Sequence, residues 1–210
     1  MTYCVHTENY SNEKLNLNQQ LYLFVQYLKA IMGTSHETKN QIANCLRQLM
    51  RKKNLKRISI VEICETCGIN RRTFYYHFID KLDLVCWFLL DELSSLGFQK
   101  ERRHWSESCI MIFSEIKDNV DFYSNVLRSN DRERFIDFLY DISTQYFNIV
   151  ICRMPKKYDP EFIGFACRFF THSYVMTGVD WIKAGAPGSA RELFDKLSAC
   201  MEMDFGDLQL

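Results

Sequence analysis

Proline stands at only three positions of this chain, 155, 160 and 187, so the first 154 residues contain nothing that forbids a continuing helix. Apolar residues in that stretch recur at spacings of three and four and seldom at two, which predicts an all-α fold. Residues 17 to 32 are typical: Leu17, Leu21, Phe24, Leu28 and Ile31 form a one-sided stripe on a short helix. Only Lys14 and Lys29 lie near it to serve a membrane surface, so the stripe is expected to seat on the protein's own core. At 210 residues, 47% hydrophobic and 25% charged, the chain can bury a sizeable core and is neither low-complexity nor largely disordered. No apolar run, Val85 to Leu90 being among the longest, approaches the roughly 18 residues a bilayer span requires, and no export signal is legible, so no membrane association is expected. Nine cysteines, an odd number without framework spacing, read as reduced thiols and point to a cytoplasmic location.

The formal net charge is zero, but the charges are segregated. Residues 37–83 carry 10 Lys and Arg against 5 Asp and Glu, residues 84–210 carry 14 against 19, and residues 1–36 balance at 2 against 2. A basic segment joined to a longer acidic one suggests a polyanion-binding module, 37–83, attached to a module for something else, 84–210, behind an N-terminal extension, 1–36.

Local signals place the helices. Thr38 with Gln41, Ser59 with Glu62, and Ser189 with Glu192 have the spacing of capping boxes. Gly68 ends a helix of barely two turns, Asn70 caps the next at once, and Asp80 and Asp83 open a fourth that runs through Leu90 to about Phe98. Further helices are expected near 105–116, 119–128 and 131–152. Asp159 followed by Pro160 opens a long one to about Lys183, and Gly185, Pro187 and Gly188 break it.

The informative stretch is Ser59 to Phe78. Two short helices joined by a glycine turn cannot lie antiparallel and bury much, so they cross steeply on the helix before them, as in a helix-turn-helix. Phe74 and Phe78, with Ile69, are expected inward; Arg71, Arg72, Tyr75 and Tyr76 are left outward. Two arginines at the N-terminal end of such a helix can each present a planar fork to a guanine edge, a contact that discriminates by about 1 to 3 kcal/mol. Thr73 offers a methyl or a hydroxyl, and Tyr75, Tyr76 and His77 offer donors to phosphate. Thr38, Lys39, Ser59 and Lys81 complete the candidate DNA contacts. The alternative is a basic helical hairpin inside an all-α core, with Tyr75 packed and His77 a solvated or buried imidazole.

At these residues the sequence resembles the TetR family of transcriptional regulators. The run Thr73-Phe74-Tyr75-Tyr76-His77-Phe78 followed by Lys81 stands in the order of that family's helix-turn-helix ending, and Ile63-Cys64-Glu65-Thr66-Cys67-Gly68-Ile69 resembles its inner turn. The likeness covers about Glu37 to Leu90. The run from Asn70 to Phe78, with Asp80 and Asp83-Leu84, is most similar to a branch of dihydroxyacetone kinase regulators. The resemblance implies an all-helical fold, a three-helix DNA-binding head, and a larger helical body that dimerises through its last two helices and often holds a small effector. Repression is the commoner mode in the family; a co-activator whose body docks a partner protein is the alternative. Arg72 stands where many relatives have glycine, so base preference does not carry over. Residues 1–36 exceed what the family needs, as an extra helix or an upstream start with Met32 as the alternative initiator.

Other features carry less. Cys64-x-x-Cys67 lacks the second pair a zinc site needs, so both cysteines read as small core residues and no metal is expected. There is no glycine-rich phosphate loop, G-x-S-x-G or H-E-x-x-H, so neither catalysis nor a cofactor has support. Thirteen of the 16 Phe lie in residues 84–210, enough for a core and an apolar cavity. Phe113, Tyr123, Phe138, Phe169, His172 and Tyr174 are the candidate pocket residues. Phe162, Phe165, Ala166 and Ser173 on the Pro160 helix, with Leu193, Leu197 and Met201 on the last, are the candidate interface of a C2 homodimer, which implies a palindromic DNA site.

Overall fold

The computed structural model describes residues 36–95, 105–151 and 159–202. The helix expected over 17–32 and the end of the fourth helix near Phe98 lie outside the described residues. Among them the regular structure is entirely helical: α1 (His36–Met50), a single 3-10 turn (Leu55–Arg57), α2 (Ile60–Cys67), α3 (Arg71–His77), α4 (Lys81–Ser95), α5 (Trp105–Asp118), α6 (Val120–Leu127), α7 (Arg132–Ile151), α8 (Pro160–Lys183) and α9 (Ala190–Glu202).

The caps explain most of these boundaries. The Ser59 hydroxyl accepts from the Glu62 N–H at 3.1 Å and opens α2. Gly68 closes it in the left-handed region at φ +67, where the Ile69 N–H reaches back to the Cys64 carbonyl at 3.0 Å. Asn70 Oδ1 accepts from the Thr73 N–H at 2.8 Å to open α3. Asp159 Oδ1 accepts from the Phe162 N–H at 2.8 Å ahead of Pro160, and Ser189 and Glu192 exchange both bonds of a capping box. Thr38 is a correction. α1 already includes His36, so Thr38 lies inside its first turn rather than at its cap. A tertiary contact holds this turn on α4: His36 Nε2 lies 2.6 Å from Asp91 Oδ1, and its ring leans on Trp87.

α1 packs on both α2 and α4, α2 packs on α3, and α7 lies along α8 with α6 and α5 beside them. The core runs without a break from Ile42, Leu46, Ile63 and Phe74 through the almost wholly buried α4 to Phe113, Phe135 and Val179. α4 thus joins the helix-turn-helix unit to the helices that follow. The amphipathic α9 lays Phe194 into the core, with Leu193 and Leu197 packed partly buried against it.

Candidate nucleic-acid interface

α3 is seven residues long and shows two faces. Phe74 and Phe78 are buried, their rings 5.9 Å apart, and Phe78 meets Trp87 of α4 edge-on. Their burial anchors the helix and leaves Arg71, Arg72, Tyr75 and Tyr76 exposed on the other side, Tyr75 at 49% and Tyr76 at 81%. The Arg71 guanidinium carbon sits 5.9 Å from the centre of the Tyr75 ring, so the cation and the ring share one patch of surface. Both arginines are exposed rather than turned into the interior. Ser59 is exposed at the N-cap of α2.

Other predicted contacts are partly committed to the protein itself. The Thr73 hydroxyl donates to Asn70 Oδ1 at 3.2 Å and so belongs to the cap. His77 is half-buried with its ring 4.9 Å from that of Tyr76; burial first, then the charge of Lys39, holds its pKa below the ordinary value. Lys39 lies within 6 Å of the Phe78 and Trp87 ring centres, and desolvation lowers its pKa against the pull of Asp83. Lys81 is a correction to the expectation of a phosphate clamp. Its ammonium donates to the Leu55 carbonyl at 2.8 Å and the Ile58 carbonyl at 2.7 Å, tying the start of α4 to the 3-10 turn ahead of α2. Desolvation lowers its pKa too, opposed by Asp131 and Asp80.

Sequence spacing missed the residues that hold this unit on the rest of the molecule. Asn125 of α6 donates to the Met50 and Lys53 carbonyls at 3.1 and 3.0 Å and accepts from the Leu55 N–H at 2.8 Å. Arg134 of α7 donates to Asp80 Oδ2 at 2.9 Å, and Arg47 of α1 to Asn119 Oδ1 at 2.7 Å. The partners are separated by 54 to 75 positions, beyond the reach of any local pattern.

The candidate pocket residues divide. A cavity of about 110 Å³ opens between α4, α5, α7 and α8, and Phe113 and Tyr174 line it together with Leu93, Tyr146, Phe147 and Val179. α8 passes close to α5 at Gly178, where a Cβ would meet Phe113 Cε1 at 3.3 Å, a tight contact. The other four are corrected. Tyr123 and Phe138 are packed in the core away from the cavity, Phe169 is exposed, and His172 is exposed with Nδ1 2.8 Å from the Tyr140 hydroxyl. Among the candidate interface residues, Phe162 and Phe165 are exposed at 46% and 58%, and Phe169 joins their stripe at 56%. Ser173 lies half-buried on α8 and donates to the Phe169 carbonyl. Ala166 is buried and faces the core, a correction to its place at an interface, while Leu193 and Leu197 are partly buried, packed against the core from α9. The side chain of Met201 falls outside the described residues. Cys64 is buried and Cys67 half-buried; the Cys67 thiol lies against the Gln41 carbonyl at 3.9 Å, and burial raises both pKa values. No metal-binding cluster occurs among the described residues.

A capped, exposed short helix on two buried phenylalanines, braced by a preceding helix, defines a helix-turn-helix protein of all-helical architecture. Residues 46–85 match the family model of bacterial regulatory proteins of the tetR family, and residues 103–203 match that of a transcriptional regulator C-terminal region of TetR type. The HTH-type dhaKLM operon transcriptional activator DhaS of Lactococcus lactis subsp. lactis (strain IL1403) is 25% identical over 96 residues, 45% of this chain. The chain spans about half the length of that curated relative, 51%. A solved structure of a dihydroxyacetone kinase operon activator, DhaS, shares the fold with a TM-score of 0.63 at 20% identity, over 80% of this chain and 96% of its own. The chain belongs to the TetR family of transcriptional regulators. No described helix is long and apolar enough to cross a membrane.

Proposed function

We propose that the chain is a dimeric, cytoplasmic, sequence-specific regulator in which residues 37–83 are the DNA-binding head and residues 84–210 the effector and dimerisation body. The observation that carries this reading is the outward face of α3, where Arg71 and Arg72 stand free of the core at the end a recognition helix turns to base edges. Gel shifts with DNA from the promoter of its own gene test it. Arg71→Ala or Arg72→Ala should lower affinity for the specific site about 10- to 100-fold, the loss of one bidentate base contact, while nonspecific binding falls only modestly. Equal loss on specific and random DNA would assign the arginines to phosphate contacts instead.

The body is ligand-responsive in this reading. The apolar cavity beside α4, about 110 Å³, is smaller than the roughly 150 Å³ cavity that holds a benzene ring, so it suits only a very small uncharged effector. Such an effector would relieve repression by preferring one placement of α4 over another. The word activator in the curated relative's name favours a second reading, in which the body docks a partner protein and the chain acts as co-activator. Deleting the gene separates the two: transcription from the bound promoter rises for a repressor and falls for a co-activator.

A further inference from the structure

The turn between α1 and α2 concentrates positive charge. Residues 51–57 hold five cations, Arg51, Lys52, Lys53, Lys56 and Arg57. Lys53 pairs with Glu62 in the first turn of α2. The other four are exposed, and among the described residues none of them gives its side chain to an ion pair or a hydrogen bond. Like charges this close raise one another's energy, a cost that an anionic partner removes. The backbone that carries them is nevertheless held from several sides. Leu55 and Ile58 are buried between and beside the cations, and the Arg57 N–H donates to the Asn54 carbonyl at 2.8 Å. Lys81 binds the Leu55 and Ile58 carbonyls, and Asn125 binds the Lys53 carbonyl and the Leu55 N–H. The four free cations are thus presented outward on a fixed frame.

We propose that Arg51, Lys52, Lys56 and Arg57 form a phosphate clamp for duplex DNA beside the recognition helix, adding affinity without sequence preference. The clamp rests on the function proposed above and extends it to the strand outside the groove that α3 reads. Position favours DNA over an acidic protein. In a helix-turn-helix the recognition helix enters the major groove while the helix before it crosses the phosphate backbone. That crossing helix is α2, and the turn leads straight into it: Ile58 precedes the Ser59 cap, and Lys53 lies against Glu62. Lys81 ties the same turn to the first residue of α4. Lys81, expected to hold phosphate itself, therefore positions cations that do. Lys39, the other lysine expected to clamp, leans on the Phe78 and Trp87 rings, so the turn supplies the positive surface that these two withhold. Duplex DNA carries one negative charge per roughly 1.7 Å of its axis, so cations a few residues apart on one turn can each meet a phosphate.

The test reads the salt dependence of binding by the full chain, on promoter DNA and on a random duplex of equal length, between about 50 and 200 mM salt. Each phosphate contact contributes about 0.9 to the slope of log affinity against log salt. Lys56→Gln with Arg57→Gln should therefore flatten the slope by about 1.8 on both duplexes and shrink the affinity lost across that range about 10-fold. The preference for promoter over random DNA should not change. Adding Arg51→Gln and Lys52→Gln should flatten the slope further. Arg191→Gln with Lys196→Gln on α9 removes the same charge from exposed positions elsewhere and should leave the slope as it was. If the Lys56 and Arg57 double variant does not fold, Lys56→Gln alone carries the test, with a change of about 0.9. An unchanged slope overturns the clamp and turns these cations toward an acidic protein. An equal change in the α9 variant assigns the effect to net charge and overturns it too, as does a loss confined to promoter DNA, which would make the turn a reader of bases. A wild type that binds neither duplex removes the regulator reading itself, whereas binding with an unmoved slope removes only the clamp.

Discussion

At the scale of single residues, the side chains that matter most divide into those that face outward and those that hold the outward ones in place. Arg71 and Arg72 belong to the first kind, Asn125 and Lys81 to the second. Asn125 saturates its amide with three backbone groups around the end of α1 and the following turn, a region whose carbonyls and N–H would otherwise be half-buried and unpaired. Asn125→Ala removes all three bonds at once and should cost about 2 to 3 kcal/mol, read as a lower urea midpoint at unchanged slope. Asn125→Asp should do no better, because a carboxylate can accept from Leu55 but is repelled by the Met50 and Lys53 carbonyls. Equal stability of Asn125→Asp and wild type would show that only the Leu55 bond counts. None of this was legible in the sequence, where Asn125 is one of three polar residues in α6, with Asp121 and Ser124. The exposure of Arg71 and Arg72 was legible, because Phe74 and Phe78 three and seven positions from Arg71 fix which face turns inward.

At the scale of elements, boundaries set by neighbouring residues were readable and those set by distant contacts were not. Ser59, Gly68, Asn70, Asp159 and Ser189 act within four positions of the groups they satisfy, so their chemistry is written locally. Thr38 has the same local signature but lies inside α1, whose first described residue, His36, is held by Asp91 from 55 positions away. Gly68 shows how much one such signal weighs. Its φ of +67 lies in the left-handed region and a Cβ there would meet nothing within 4 Å, so Gly68→Ala introduces backbone strain without a clash. The expected cost is about 1 to 2 kcal/mol in the urea midpoint. DNA affinity should fall less than for either arginine variant, since α3 keeps its cap at Asn70. A neutral or stabilising Gly68→Ala would mean that the turn relaxes out of the left-handed region, and with it the crossing of α2 and α3.

At the scale of the whole molecule, a helix that is apolar on several sides does not reveal which side is covered by its own chain. α8 illustrates the ambiguity: Ala166 and Tyr174 turn inward, while Phe162, Phe165 and Phe169 are left outside at spacings of three and four. Aromatic abundance was equally blind to the difference between core and cavity, which is why Tyr123 and Phe138 fill the interior rather than line a pocket. The outward phenylalanine stripe supports the proposed dimer, because each ring is still 46 to 58% exposed and covering that remainder contributes part of the roughly 1.5 to 3 kcal/mol that full burial of such a side chain is worth. The double variant Phe165→Asp with Phe169→Asp places charge on that stripe without touching the monomer's core. It should keep the wild-type thermal midpoint at low protein concentration and sediment as a monomer at micromolar concentration. Operator affinity should then fall about 100-fold or more, because two linked heads engage two half-sites by effective concentration and one head cannot. Single half-site DNA should be bound almost as well as before. A wild-type protein that already sediments as a monomer, or a double variant that remains dimeric, would assign the stripe to a different partner and move the symmetry of the operator out of the proposal.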